Sequence, residues 1–146
     1  MAQRARRGSR SAPFSQDEYE KLAEFRYQLA RFLRRRKDAA RGAGLQAQQY
    51  ELLLALAGMP DARQPTIKEV AAQLQLEHHT VVELADRLQK RGFVTRANSR
   101  EDGRAVLLEL TRAGHRVLDR IVRYSFAQLR EEAPTLIRGL RRILQS

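Results

Sequence analysis

The stretch from His78 to Arg87 concentrates side chains that can recognise a nucleic acid. On a helix lying in a major groove, the N-terminal turn reads base edges and the helix N-terminus attracts phosphate. Thr80 is therefore placed to donate to a phosphate, and Glu83 to accept from cytosine N4, although its carboxylate also repels phosphate. Arg87 lies one turn further on and closer to the backbone. The predicted DNA contacts of this stretch are His78, His79, Thr80, Val82, Glu83 and Arg87.

A polar loop further along the chain holds a second charged group. Arg100 and Arg104 are placed to enter a minor groove, and Asp102 would hold a neighbouring arginine in position through an ion pair. An alternative is that Asp102 and Arg104 form a structural bridge that ties the loop together without touching DNA. Both roles suit the residue types, so the sequence leaves the choice between them open.

The residue types needed for several other chemistries are missing. The sequence has no Cys, which excludes a disulfide framework, thiolate metal sites and peroxide sensing through a reactive thiol. His78 and His79 are adjacent, so on a helix their side chains point about 100° apart and cannot chelate one ion together. No serine nucleophile elbow or Gly-rich phosphate loop is present. We therefore expect no metal, no cofactor and no enzymatic activity.

Two short helical patterns and two β-prone runs would position these residues. Ile67 to Leu74 and His79 to Arg91 form a helix-turn-helix pattern, with Thr66 as the N-cap of the first helix. The runs Phe93 to Ala97 and Ala105 to Leu110 then predict a hairpin. Together the elements predict a winged helix-turn-helix. The apolar positions expected to lock its two helices are Val70, Ala71, Leu74, Leu76, Val81, Leu84 and Leu88.

Helical patterns extend on both sides of this unit. Ser15 precedes acids suited to a helix N-terminus, and an apolar stripe runs from there to about Lys37. A second helix, Leu45 to Ala57, is apolar on two sides and is expected to be buried between layers. After the wing, a helix from Arg112 to about Glu132 should end where Pro134 interrupts it, and a last amphipathic helix should follow.

These patterns divide the chain into four parts. Residues 1–13 read as a basic disordered arm, either a solvated tail or a flexible contact to DNA. Residues 14–44 form an N-terminal dimerisation helix, residues 45–111 the winged helix-turn-helix DNA-binding domain, and residues 112–146 the C-terminal dimerisation helices. The fold class is thus mainly α with a small β-hairpin wing. Because the terminal helices carry more apolar surface than so small a core can cover, we expect a homodimer.

The charge balance indicates a polyanionic partner. The 146 residues contain 28 Lys and Arg against 17 Asp and Glu, for a formal net charge of +11, which is a large imbalance for a small domain. No apolar run approaches the roughly 18 to 20 residues that a membrane span needs, and the Arg-rich start lacks the apolar region of a secretory signal. We expect double-stranded DNA as the partner, no membrane association and a cytoplasmic location.

Three groups of residues together resemble one known family. The first lies in the second helix, the second runs from the recognition helix into the following strand, and the third is a D-x-R followed at fixed spacing by L-T-x-x-G. They are Leu45, Gln49, Tyr50, Leu53 and Leu56; Thr80, Val81, Leu84, Leu88, Lys90, Arg91, Gly92, Phe93 and Val94; and Asp102, Arg104, Leu110, Thr111 and Gly114. From about Phe14 onwards the chain resembles the multiple antibiotic resistance regulator (MarR) family of winged-helix transcription factors. Gln75 stands at the turn position where such units often have Gly, at a cost of about 1 kcal/mol if its backbone is left-handed.

The resemblance implies a homodimeric transcriptional regulator, and a ligand-responsive repressor in particular, that binds a palindromic operator through two recognition helices roughly 34 Å apart. Members of the family commonly bind small aromatic or phenolic molecules between the dimerisation helices and the DNA-binding lobe. Aromatic residues at helical spacing are also typical of a plain core. The remaining alternative is a sequence-neutral architectural DNA- or RNA-binding protein driven by charge alone. The residues that could line an effector pocket here are Phe25, Arg26, Leu29, Tyr50 and Leu54.

Overall fold

A computed structural model describes residues 13–61, 63–99 and 103–146. Along these residues five helices and one antiparallel hairpin follow one another, so the mainly helical fold class predicted from the sequence is confirmed. The predicted basic arm lies outside the described residues except for its last residue. The elements are α1 (Gln16–Gly42), α2 (Ala47–Gly58), α3 (Ile67–Leu74), α4 (His78–Lys90), β1 (Val94–Asn98), β2 (Val106–Leu110) and α5 (Arg112–Leu144).

Helix α1 begins at a capping box and extends further than its apolar stripe predicts. The Ser15 hydroxyl accepts from the Glu18 amide at 3.2 Å, and the Glu18 carboxylate accepts from the Ser15 amide at 2.7 Å. The stripe predicts an end near Lys37, whereas the helix continues to Gly42. The added turns contain Ala40, which is fully buried in the core. Tertiary packing therefore keeps this charged stretch helical.

Helix α5 runs unbroken through Pro134, which corrects the prediction of two separate C-terminal helices. A proline inside a helix removes one hydrogen bond and clashes with the preceding turn, at a cost of about 3 kcal/mol. Here α5 packs on α1 on both sides of the proline. Glu132 pairs with Arg35 at 2.5 Å, and Gly139 packs against Phe25. Because both halves are held against the same partner helix, tertiary pairing outweighs the local cost.

The core lies in the winged helix-turn-helix unit. Helices α2, α3 and α4, the hairpin and the start of α5 surround it. Every apolar position predicted to lock α3 on α4 is buried or half-buried, and Val70, Val81 and Leu88 expose no surface. Helix α2 contributes Leu52 and Leu53, both fully buried, whereas Leu54 of the same helix is 41% exposed. The prediction that α2 is buried between layers is therefore confirmed for one side of the helix only.

The turn between α3 and α4 contains a left-handed residue. Thr66 caps α3, because its hydroxyl accepts from the Glu69 amide at 3.1 Å. At the other end Gln75 has φ 55° and ψ 42°, and the Leu76 amide then donates to the Ala71 carbonyl at 3.0 Å. This backbone conformation costs a non-glycine residue about 1 kcal/mol. The left-handed backbone, which was the condition for this cost in the sequence analysis, is thus present at Gln75.

The hairpin is held against the rest of the unit along its second strand. The strands pair antiparallel, with Val94 opposite Leu110. The Leu108 amide donates to the Pro65 carbonyl at 2.9 Å, and Thr66 forms a bridge with Leu107. The segment before α3 therefore lies along the outer edge of β2 and fixes the position of the wing relative to α3.

The junction between β2 and α5 explains the L-T-x-x-G pattern. The Thr111 hydroxyl accepts from the Gly114 amide at 3.0 Å and donates to the Gly92 carbonyl at 2.6 Å. Gly114 faces the Phe93 carbonyl so closely that an added Cβ would lie 2.2 Å from its oxygen. The motif therefore joins the first turn of α5 to the residues that follow α4.

We expect Gly114→Ala to lower the free energy of unfolding by about 3 kcal/mol, because the new methyl group meets a backbone oxygen. Gly58→Ala is the matched control, since nothing lies within 4 Å of its added Cβ and alanine favours a helix by up to about 1 kcal/mol. Urea unfolding followed by circular dichroism, at equal protein concentration, measures both. A Gly114→Ala protein as stable as the wild type would contradict this close approach.

Candidate nucleic-acid interface

Helix α4 has one buried side and one exposed side. Val81, Leu84, Ala85 and Leu88 pack into the core, so the opposite side of the helix stays in solvent. Six of the side chains predicted to contact DNA lie on this helix. His78, His79, Glu83 and Arg87 are exposed, and Thr80 and Val82 are half-buried.

The N-terminus of α4 lacks the side-chain cap that the neighbouring helices have. Thr66 and Thr111 accept hydrogen bonds from the first turns of α3 and α5, whereas Glu77 makes no such bond to α4. The first amides of a helix have no acceptor within the helix itself. In α4 the Thr80 amide donates to the Glu77 carbonyl at 3.1 Å, so the amides of His78 and His79 are the ones that can bind an anion, which the helix dipole also favours.

A groove of about 920 Å³ separates the N-terminal half of α4 from α3 and the hairpin. His78 and Val82 line it from α4, and Arg104 lines it from the base of the wing. The structure thus brings together predicted contact residues that the sequence assigns to two separate elements.

The walls of this groove are rich in positive charge. Lys68 of α3, Arg96 of β1 and Arg63 of the loop before α3 line it together with Arg104. Among the described lining residues, Glu69 is the only acid. A concave surface with such an excess of cations concentrates phosphate groups.

The sequence patterns did not indicate Lys68 or Arg96 as part of this surface. Lys68 is part of this surface because α3 packs beside α4. Helical periodicity within one segment does not predict which helices pack together. The alternation of side chains along β1 could have indicated the orientation of Arg96. Val94 is buried, so Arg96, two residues further on, faces the same side of β1.

Arg96 links the hairpin to α4 directly. Its Nη1 group lies 2.6 Å from Gln89 Oε1 and 2.7 Å from Asp86 Oδ1, and its Nη2 group donates to the Val82 carbonyl at 3.2 Å. The two elements that carry the predicted DNA contacts are therefore joined through one side chain.

The base of the wing is held by a buried polar contact. Ser99 is 4% exposed. Its hydroxyl donates to Gln64 Oε1 at 2.9 Å, and its amide donates to the Ala105 carbonyl at 2.9 Å. Two predicted contact residues, Arg100 and Asp102, lie outside the described residues. The choice for Arg104 between a minor-groove contact and a structural bridge to Asp102 therefore stays a prediction.

The residues predicted to line an effector pocket lie on two helices. Phe25 is half-buried, and Arg26 and Leu29 are exposed, on the part of α1 that packs against the C-terminal half of α5. Tyr50 is buried in the core, whereas Leu54 of the same helix is 41% exposed. Their role in binding a ligand stays a prediction.

A cavity of about 410 Å³ lies where the C-terminal end of α1 meets α5. Its walls include the small side chains of Ala39 and Ala43 and the apolar side chain of Ile121, with Arg120 and Tyr124 as polar groups. Apolar walls with a few polar groups at fixed positions are typical of small-molecule sites. Asp38 lines the same cavity, so its walls carry one acid beside the Arg120 guanidinium.

Neither a cluster of metal ligands nor a helix able to span a membrane occurs in the part of the chain that the structure describes. There, no three His, Asp or Glu side chains come close enough to share a metal ion. None of the helices in residues 13–61, 63–99 and 103–146 combines the length and the apolar character needed to cross a bilayer.

The sequence comparisons match the part of the chain that forms this interface. Residues 43–105 match the model of the MarR family. Over 65 residues the chain is 35% identical to the organic hydroperoxide resistance transcriptional regulator of Bacillus subtilis (strain 168). The match covers 44% of this chain and 44% of that protein, so the chain spans less than half the length of this curated relative.

Solved structures resemble the fold over most of its length. Sco3205, a MarR family transcriptional regulator from Streptomyces coelicolor solved in complex with DNA, has a TM-score of 0.72 and 22% identity, covering 92% of this chain and 88% of its own. CouR from Rhodococcus jostii RHA1, solved bound to p-coumaroyl-CoA, has a TM-score of 0.70 and 25% identity, covering 90% of this chain and 94% of its own.

Proposed function

This chain belongs to the MarR family of transcriptional regulators, and we propose that it binds duplex DNA as a homodimer and represses transcription at a palindromic operator. Proteins of this family are regulators and not enzymes. The observation that carries the proposal is the cationic groove between the N-terminal half of α4, α3 and the hairpin. The likeness to Sco3205, which was solved with DNA, supports duplex DNA as the partner.

Two kinds of contact would make up the complex. Lys68 and Arg104 would neutralise phosphates beside the groove, which supplies affinity without sequence preference. The first turns of α4 would lie in the major groove and read base edges. There Val82 offers its methyl groups to thymine, and Glu83 can accept from cytosine N4. Preference for one operator would therefore come from α4.

The exposed apolar side chains of the long helices support a homodimer. Monomeric proteins rarely leave a large contiguous apolar patch in solvent, and a two-fold interface covers the same patch on both copies. Such a dimer would present two copies of α4 to successive major grooves, roughly 34 Å apart. The exposed apolar residues are Tyr19, Leu22, Tyr27, Leu29 and Leu33 on α1 and Tyr124, Phe126, Leu129, Ile137, Leu140 and Leu144 on α5.

An effector would act where α1 meets α5. CouR was solved with p-coumaroyl-CoA, which supports a response to a small molecule here. The cavity beside Arg120 and Tyr124 would hold a small aromatic or phenolic molecule. The residues predicted on α1 and α2 are the alternative site for this effector. The Bacillus subtilis relative is named for organic hydroperoxide resistance, but this sequence contains no Cys. A response to peroxides through a cysteine thiol is therefore excluded.

A second candidate function is sequence-neutral binding of DNA or RNA in the cytoplasm. The net charge of +11 favours it, because charge alone supplies non-specific binding. A regulator would also work in the cytoplasm, so location does not separate the two. Competition with unrelated duplex DNA distinguishes the two functions, because a regulator should prefer its operator over unrelated duplex by at least roughly a thousandfold.

We expect Arg104→Ala to weaken operator binding about tenfold near physiological salt and to reduce the slope of log K against log salt by about 0.9, because one cation beside the phosphates is lost. The probe is a labelled duplex carrying the inverted repeat found beside the coding sequence of this protein. Fluorescence anisotropy across a salt series measures both quantities.

Arg130→Ala is the matched control for Arg104→Ala. It removes the same charge from an exposed position on α5 that does not line the groove, so affinity and salt slope should stay near the wild-type values. Equal losses for both variants would show that total charge governs binding and would favour the sequence-neutral alternative. An unchanged affinity for Arg104→Ala would remove the wing from the interface.

We expect Leu140→Asp to convert the dimer into monomers, because an unpaired carboxylate is costly to bury in an apolar interface. Arg138→Asp introduces the same carboxylate two residues away, on a different side of α5, and should remain dimeric. Size-exclusion chromatography with light scattering measures the mass of each. A Leu140→Asp protein with the wild-type dimer mass would show that this stripe is not the interface.

A further inference from the structure

Arg96 lies on the side of the hairpin that faces the core. Residues directly opposite each other in an antiparallel pair share a side, and Arg96 is paired with Leu108, which is 1% exposed. Val94, on the same side of β1, is equally buried. Among the strand residues that the structure describes, Arg96 is the only charged one on this side. The Arg96 side chain is 25% exposed, and a partly buried guanidinium needs acceptors, because leaving such a charge unpaired is costly.

Helix α4 supplies three acceptors at helical spacing. They are the Val82 carbonyl, Asp86 Oδ1 and Gln89 Oε1, at 3.2, 2.7 and 2.6 Å from the guanidinium nitrogens of Arg96. Positions four and three residues apart lie along one side of a helix. A planar guanidinium can donate to all three, whereas a lysine ammonium is a single point charge. We call this arrangement the Arg96 clasp.

The Arg96 clasp borders the groove of the interface. Val82 and Arg96 both line the groove, together with His78 from α4 and Arg104 from the wing. A change in how β1 sits on α4 would therefore move Arg104 relative to His78. The ion pair to Asp86 adds little to overall stability, because the Asp86 side chain is 52% exposed. The main effect of the Arg96 clasp is therefore on the position of β1 relative to α4.

We propose that Arg96 is a positioning residue for DNA recognition. It sets the angle and spacing between α4 and the hairpin, so that both elements meet the duplex in register. This role rests on the proposed function. Arg96 would act by holding α4 and the hairpin in position and not by contacting a phosphate. Preorganised contact elements bind more tightly because less ordering is required when the complex forms.

A charge-neutral double variant separates position from charge. Arg96→Gln combined with Asp86→Asn removes the clasp and leaves the net charge unchanged. We expect at least a tenfold loss of DNA affinity with no change in the slope of log K against log salt. The probe is a labelled duplex selected from a random library with the wild-type protein, and fluorescence anisotropy gives the affinity. Arg123→Gln with Asp119→Asn, an exposed pair on α5, is the matched control and should bind as the wild type does.

Hydrogen exchange of the free protein tests the clasp without DNA. In Arg96→Gln, exchange should become faster in peptides from α4 and β1 and stay unchanged in α1 and α5. Arg96→Lys keeps the charge but cannot reach all three acceptors, so it should recover little of the lost DNA affinity. Faster exchange throughout the chain would indicate a general loss of stability and would overturn the positioning role.

Two results with DNA would also contradict the proposal. One is a double variant that binds the selected duplex as tightly as the wild type. The other is a slope of log K against log salt that is lowered by about 0.9 in Arg96→Gln, together with a loss of DNA affinity that adds to the loss in Asp86→Asn. Such a result would indicate that Arg96 contacts a phosphate directly. A wild-type protein that selects no duplex would count against the proposed function itself, and the exchange experiment would still decide whether the clasp holds the hairpin to α4.

Discussion

Burial of one side of α4 is the interaction on which the rest of the structure depends. Val81, Ala85 and Leu88 expose no surface, and each fully buried aliphatic side chain of the size of valine or leucine contributes about 1.5–3 kcal/mol. The helix cannot turn about its axis without exposing them to water. Its other side, with His79 and Glu83, is therefore held outward in one orientation. The surface proposed to read DNA is a consequence of packing on the opposite side.

The end of α4 far from the proposed DNA contacts joins the unit to the long helices. Arg91 donates to the Gly44 carbonyl at 2.6 Å, and its guanidinium lies 4.9 Å from the centre of the Phe93 ring. Thr111, at the start of α5, donates to the Gly92 carbonyl. Gly44, in the turn after α1, and Thr111, which caps α5, thus both contact the C-terminal end of α4. Both ends of the α1 and α5 pair that meet the winged unit are therefore in contact with α4.

The pairing of α1 with α5 combines charge with apolar contact. Arg35 and Arg36 approach Glu132 at 2.5 and 3.6 Å, and Arg36 also donates to Gln128 and lies 4.2 Å above the centre of the Phe32 ring. Charged groups at a partly buried contact favour one register over its neighbours, because a shifted pair would leave them without partners. The exposed apolar stripes of both helices are consequently kept on the outside, where a second copy can cover them.

Local patterns in the sequence determined the elements of this protein. They placed α3 at its observed bounds, and α4 and both strands within one residue of theirs, because caps, periodicity and alternation are properties of neighbouring residues. Two further features were decided only by the tertiary structure. Helix α5 continues through Pro134 because α1 packs on both of its halves, and Arg96 joins the interface because β1 lies against α4. Both depend on which elements pack together, and that is set by contacts between residues far apart in the chain.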